Sequence, residues 1–349
     1  MTRYLLILFF ALTSLGLQGQ DRHFSQFYSA PLNLNPALTG GFDAKYRIGL
    51  INRDQWRSVL EHPYKTFAAT LEVKFGLNEV FKLLAKDKIA VGLMFFSDKV
   101  EGVEFNTNQM SLSLAYHKVM DKAGKSYLTL GFQAGLAQRN INFLDLFFDD
   151  QFNEIDAFDL PTNENLPGNN FSYGDYAIGL NYTTKLTKKW RLFAGGAMHH
   201  IFEPRVSFYE DNEDNRLDVF LQRTYTGHAG FNWLAADGIT LSPRILFMNQ
   251  GPHLEVSAGS NVRLSLSAYD GTALHIGAFA RTARDVVNTF GFDALVGMVG
   301  IEAGGFLLGL SYDVNLRALA NYSSAQGAFE ISAAYLGEYE NETILCPKF

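Results

Sequence analysis

Residues 128–137 read LTLGFQAGLA. Leu128, Leu130, Phe132, Ala134 and Leu136 alternate with Thr129, Gly131, Gln133, Gly135 and Ala137. A period of two places one set on each face of a β-strand. The pattern recurs at 110–117, where Met110, Leu112, Leu114 and Tyr116 alternate with Ser111, Ser113, Ala115 and His117. It recurs again at 175–182 and 306–315, with Tyr176, Ile178, Leu180 and Tyr182 in one and Phe306, Leu308, Leu310, Tyr312 and Val314 in the other. Fourteen such runs can be counted: 45–53, 65–75, 88–96, 107–118, 126–139, 172–183, 190–201, 221–233, 239–250, 253–266, 273–281, 292–302, 305–315 and 327–337. Soluble strands average about five or six residues, and these runs are mostly longer. About nine to eleven tilted residues cross a bilayer.

Period alone does not say which face meets lipid. In a soluble sandwich the apolar face is buried, whereas in a membrane barrel it points outward and the polar face lines the lumen. Three features favour the barrel. Gly, Ser, Ala, Asn and Thr dominate the second face. Aromatics recur near run ends, at Tyr46, Phe75, Phe105, Tyr116, Tyr127, Tyr182, Trp190, Tyr225, Trp233, Tyr269, Tyr312 and Tyr335, as interfacial girdles require. Short links (119–125, 184–189, 234–238, 267–272, 303–304) interleave with longer ones (97–106, 140–171, 202–220, 282–291, 316–326). Outer-membrane barrels pair short periplasmic turns with long outer loops. Links 76–87 and 251–252 depart from the rule. The expected fold class is all-β, a transmembrane antiparallel β-barrel of about 14 strands.

The 349 residues are 47% hydrophobic with a formal charge of -7, a balance that argues against a broad grip on nucleic acid. Residues 1–19 combine Arg3, an apolar stretch from Tyr4 to Leu12, and Leu17-Gln18-Gly19. This predicts a cleaved export signal ending before Gln20. The competing reading, a membrane anchor, has only a short apolar run and no cysteine for lipid attachment. Cys346 is the one cysteine, which leaves neither an internal disulfide nor a CxxC motif. The expected organisation is therefore signal 1–19, an amino-terminal strap or plug 20–44, barrel 45–337 and tail 338–349.

No catalytic residue, cofactor or metal site is expected. HExxH, GxSxG and GxGxxG do not occur. Ala123-Gly124-Lys125-Ser126 resembles the end of a phosphate loop, but Val119 stands where glycine is required. His199 and His200 are adjacent and should face opposite sides of a strand. Asp211-Asn212-Glu213-Asp214-Asn215 reads as a solvated acidic loop without the glycine and closing glutamate of a calcium loop. Glu72, Lys74, His117, Asp175, His228, Glu255, Arg263, His275, Arg281, Glu302 and Asp313 are expected in the lumen, where mixed signs suit paired charges better than a selectivity ring.

Two segments invite binding readings. Residues 23–40, HFSQFYSAPLNLNPALTG, have no period. An even strand number puts both termini on the periplasmic side, so 20–44 start there and either fold up into the lumen or dock a periplasmic partner. The 140–171 link interleaves Asp145, Asp149, Asp150, Glu154, Asp156, Asp159 and Glu164 with Phe143, Leu144, Leu146, Phe147, Phe148, Phe152 and Phe158, and has no Lys or Arg. It reads either as a protein-docking surface with apolar anchors and a charged rim or as a loop folded over the barrel mouth.

Gln20-Asp21, Phe24-Ser25-Gln26-Phe27-Tyr28, Pro31-Leu32, Leu34-Asn35-Pro36-Ala37 and Thr39-Gly40 resemble the amino-terminal signature of the PorP/SprF family. These are outer-membrane proteins associated with type IX secretion and gliding motility. Asn52-Arg53-Asp54-Gln55-Trp56 is similar to the family's NYRNQW, with Asp54 where Asn is usual. Gly309-Leu310-Ser311-Tyr312-Asp313-Val314-Asn315 is similar to its GLSYDFN strand, with Val314 in place of Phe. Phe329-Glu330-Ile331-Ser332 and Cys346-Pro347-Lys348-Phe349 resemble its closing strand and tail.

The resemblance implies a non-enzymatic protein of the cell outer membrane, in contact with its lipid. Some members serve the secretion machine itself. Others act with one secreted surface protein, often a large adhesin, and periplasmic components of the machine are further partners. The candidate partner-binding residues are Phe24, Gln26, Tyr28, Asn35 and Pro36 of the strap, Phe147, Phe148, Asp149 and Asp150 of the long link, and Cys346 and Phe349 of the tail. The alternative function is an outer-membrane channel for small or apolar solutes.

Overall fold

The computed structural model describes residues 23–56, 63–77, 86–100, 104–143, 146–209, 219–267, 271–284, 290–316 and 327–339. Within them the alternating runs become fourteen strands: β1 Ala44–Gln55, β2 Tyr64–Gly76, β3 Lys88–Val100, β4 Phe105–Val119, β5 Ser126–Asn140, β6 Asn170–Lys185, β7 Trp190–His199, β8 Thr224–Ala236, β9 Ile239–Gln250, β10 His253–Ser265, β11 Ala273–Arg284, β12 Phe290–Ala303, β13 Phe306–Asn315 and β14 Ala328–Tyr339. Each pairs antiparallel with its chain neighbours, and β1 pairs β14 from Ala44↔Tyr339 to Gln55↔Ala328, which closes the barrel. Closure gives every strand two paired neighbours, the condition for crossing lipid with strands. No helix among the described residues is long and apolar enough to cross a membrane.

The cross-section is inverted relative to a soluble protein. Ile48, Leu50, Leu71, Leu93, Leu112, Leu114, Leu130, Leu180, Ile245, Ile276, Val299, Leu308 and Ile331 are exposed, while Ser111, Ser113, Thr129, Gln133, Asn181, Ser257 and Ser332 are buried. An exposed apolar belt around a polar interior is the lipid-facing arrangement. At the end holding the two-residue links 237–238 and 304–305, aromatic rings cluster. Trp190 stacks on Trp233 at 5.1 Å, and Tyr335 lies 6.0 Å from Tyr46 and 4.6 Å from Phe306. Phe105 departs from the girdle. Its parity turns it inward, where it lines a cavity and meets Phe208 at 6.1 Å. Tyr269 lies outside the described residues.

The links 141–169 and 200–223 mark the other, long-loop end. Residues 23–43 run inside the barrel between the two ends. They start near the long-loop end, with His23 Nε2 3.1 Å from Glu255 Oε2, and descend to Ala44, the first residue of β1. Three short helical turns form on the way, Phe27–Ser29, Pro31–Leu34 and Pro36–Leu38. Pro31 and Pro36 each open a turn, where proline's missing N–H costs nothing. Leader residues 1–19 and tail residues 340–349 lie outside the described residues.

Candidate functional site

The lumen segment is held by charge at its upper end. Glu330 of β14, fully buried, accepts the backbone N–H of Ser25 at 2.7 Å and of Gln26 at 2.9 Å, and Arg53 Nη1 at 2.5 Å. Ser25 Oγ donates to Asp313 Oδ2 at 2.5 Å and accepts from Arg53 and Arg281, at 2.8 and 3.1 Å. Arg53 and Arg281 also pair with Asp313, at 3.2 and 3.1 Å. Arg53 bridges both carboxylates and Arg281 adds a second cation at Asp313, and such a cluster is costly to break by removing one member.

Amide contacts follow lower down. Gln26 Nε2 donates to Ser311 Oγ at 3.0 Å, and its Oε1 accepts from Ser332 Oγ at 2.7 Å. Asn35 Nδ2 donates to the carbonyls of Leu180 and Gly196, at 3.0 and 3.2 Å, while Oδ1 caps Ala37 N–H at 2.8 Å. Pro36 and Ala37 press on β5 so closely that a Cβ at Gly131 would meet their backbone. At the lower end Gly40 N–H donates to Glu72, itself paired with Arg47 at 2.6 Å. Gly40 has φ 73° and no room for a side chain beside Ala90, so the turn into β1 requires glycine.

Apolar side chains complete the fit. Phe27, Tyr28, Leu34 and Leu38 pack with Leu246, Phe279, Val296 and Met298, and Phe24 and Ala30 pack with Ile51, Ala68 and Phe96. The Arg244 guanidinium lies 4.6 Å above the Tyr28 ring. The structure therefore brings Phe24, Gln26, Tyr28, Asn35 and Pro36 together as buried residues against the barrel wall. The lumen-facing charges also find partners: Arg263 and His275 share Glu302 at 2.7 and 3.1 Å, and His117 Nε2 meets the Thr39 carbonyl at 2.8 Å. Arg47, Arg53, Arg244 and Glu330 also face the lumen. Strand parity would have found them, because Arg47 and Arg53 share a face with Gly49, and Glu330 with Ser332.

The 141–169 link carries Phe147, Phe148, Asp149 and Asp150 away from this segment. It is organised by its own side chains. Asn153 Oδ1 accepts three backbone N–H groups, from Ile155, Asp156 and Ala157. Asp150 accepts from Thr162 Oγ1 and Asn163 N–H. The rings of Phe147 and Phe152 flank Phe158 at 5.7 and 5.1 Å. Phe147 is nevertheless 72% exposed and Ile155 83%, while Phe148 and Phe143 are half-buried. Aromatics thus sit both against the loop and outside it. Cys346, Phe349 and the acidic run 211–215 lie outside the described residues.

His199 and His200 do not face opposite sides. His200 lies past the end of β7 with φ 55°, which turns it inward to Asp175 Oδ1 at 2.8 Å, while His199 Nε2 meets the Leu34 carbonyl at 3.1 Å. Among the described residues no three His, Cys, Asp or Glu are grouped to hold a metal. Residues 123–126 form a turn in which Asp121 Oδ1 accepts the N–H groups of Lys125 and Ser126.

Solved barrels share this architecture. A mutant of the monoaromatic hydrocarbon channel TodX is 11% identical, with TM-score 0.53 over 89% of this chain and 94% of that one. The Ralstonia pickettii toluene transporter TbuX is 12% identical, with TM-score 0.47 over 92% of this chain and 96% of that one. At such identities the likeness is one of fold. No curated protein sequence matches the chain. The family described as type IX secretion system membrane protein PorP/SprF matches residues 17–335, nearly the whole barrel and its lumen segment, and the chain belongs to that family as a β-barrel of the outer membrane.

Proposed function

We propose that this barrel works by binding: it supports the type IX secretion or surface attachment of a partner protein such as a large adhesin, and catalyses no reaction. The single observation carrying the reading is the lumen segment. Its backbone is tied to β14 at Ser25 and Gln26 and to β2 at Gly40, with Asn35 bonded between β6 and β7. A lumen occupied along its height suits a scaffold better than a solute path. In this reading residues 23–43 are a fixed plug that braces the wall. The long-loop surface, with Phe147 and Phe148 beside Asp149 and Asp150, then meets the partner outside the cell, where outer-membrane barrels carry their long loops. The short-turn end and the tail with Cys346 and Phe349 face periplasmic components of the secretion machine.

The test compares surface and culture-medium proteomes with and without the gene. Loss of one large protein identifies a dedicated partner, and loss of many type IX cargoes identifies a part of the machine. Unchanged proteomes, with solute flux through the purified barrel in liposomes, would replace this reading with a channel.

A further inference from the structure

Above the lumen segment, at the long-loop end, lies a cavity of about 350 Å³. Its floor is the segment itself, at Phe24, Phe27 and Leu34. Its wall is the inner face of β3 to β9, and its roof is the two arms of the 200–223 link at Val206 and Phe220. The arms are joined by the Val206 N–H to Val219 carbonyl bond at 2.8 Å. The volume falls within the lower range of small-molecule sites, which combine apolar walls with a few convergent polar groups.

Most polar groups in the wall are engaged. Asp175 is held by His200 at 2.8 Å and Gln109 at 3.1 Å, Thr226 donates to the Leu34 carbonyl at 2.8 Å, and Gln250 donates to the Gln222 carbonyl at 3.2 Å. Two are not. Thr107 is 5% exposed and its Oγ1 has no partner, and Arg139 Nε is buried without an acceptor. These residues sit directly opposite each other in the β4–β5 register, both on the lumen face and both lining the cavity. The Arg139 guanidinium rests 5.6 Å from the Tyr173 ring and has no ion-pair partner among the described residues. A buried donor without an acceptor is costly. An arginine on an aromatic ring beside a hydroxyl fits a planar carboxylate.

We propose that this cavity binds a carboxylate joined to an apolar body. The carboxylate takes Arg139 Nε–H and Thr107 Oγ–H, and the body lies against Phe24, Phe27, Phe96 and Phe105. The carboxylate comes either from a free organic acid or from the terminal carboxyl of an apolar peptide. The proposal does not depend on the secretion reading, since it concerns occupancy of the barrel alone.

Isothermal titration of the full-length barrel in detergent tests it. The probes are phenylacetate and decanoate, with phenylethanol and decanol as uncharged controls, and a Leu-Phe-Phe peptide with a free or amidated terminus. Saturable binding of the acids or of the free-terminus peptide, but not of their uncharged counterparts, is expected. Arg139→Gln should weaken it about tenfold or more and Thr107→Val by a smaller factor, from the strength of charge-assisted bonds. Heat-modifiable migration confirms that each variant is a folded barrel, and Thr107→Val, nearly isosteric, guards against misfolding. Binding by the acids alone or by the peptide alone decides the source. No binding by any acid probe, or equal binding to both variants, overturns the site.

Discussion

Phe24 and Phe147 belong to the two irregular segments that flank the functional question, and they meet opposite fates. Phe24 is 2% exposed and edge-on to Phe96 of the wall at 6.2 Å, whereas Phe147 is 72% exposed in the 141–169 link. The difference lies in who satisfies the backbone. In the lumen segment the N–H groups of Ser25, Gln26 and Gly40 are bonded to carboxylates from β14 and β2, far away in sequence. In the 141–169 link the N–H groups of Ile155, Asp156, Ala157 and Asn163 are bonded to Asn153 and Asp150, within the loop. The first segment adds these wall bonds to its own short turns and is packed as part of the barrel. The second is held by bonds within the loop and leaves apolar surface over, which is how an outward contact is presented.

Arg53→Ala should disturb the lumen segment most. It leaves the Glu330 and Asp313 carboxylates buried with one cation removed, a loss of about 3–5 kcal/mol for a buried pair. The lumen segment should loosen, become open to protease in folded barrels, and raise conductance in planar bilayers. Unchanged protection would mean the apolar contacts alone hold it. Gly131→Leu acts at the other height of the segment. A side chain there collides with the Pro36 and Ala37 backbone, and overpacking of this kind costs about 1–3 kcal/mol. It should free the middle of the segment while β5 stays paired, read as hydrogen exchange at residues 33–39.

The exposed 141–169 link should respond in the reverse sense. Phe147→Ser combined with Ile155→Ser removes surface that packs little, so stability should stay within about 0.5 kcal/mol. The amount of secreted partner retained at the cell surface should fall. A drop in stability with normal retention would move these side chains from contact to scaffold.

Strand number, direction and the inverted cross-section were legible in the sequence because they depend on period two, a local signal. Ser111, Ser113 and Thr129 fell on the lumen face as alternation requires. What could not be read depends on partners remote in sequence. Ser25 and Glu330 are 305 positions apart, and no periodicity links them. His200 escapes the alternation because its positive φ turns the chain one residue past β7. The route of residues 23–43, downward from the long-loop end, follows from the side chains they meet and not from their own pattern. Even so, the signature residues Phe24, Gln26, Tyr28 and Asn35 are all buried against the wall.

The mildest change is expected at the short-turn end, where one carboxylate just before β3 is bonded to β4. Asp87 accepts Tyr116 Oη at 2.6 Å, Lys118 Nζ at 2.8 Å and Val119 N–H at 2.9 Å. Burial pushes its pKa up, but these hydrogen bonds and the Lys118 charge outweigh it and hold the group down at about 2, against an ordinary value of 3.8. A carboxylate whose folded pKa lies below its unfolded one binds fewer protons when folded, so stability rises with pH across that interval. The clasp contributes in full above the ordinary value and is lost as pH falls from there through about 2. Asp87→Asn should therefore lower the unfolding temperature at pH 6, and the gap from the unaltered barrel should shrink by pH 2. Because Lys118 is half in solvent, screening keeps the effect modest, well below that of Arg53→Ala. A gap that stays constant with pH would assign the stabilisation to the packing of the Asp87 side chain and not to its charge.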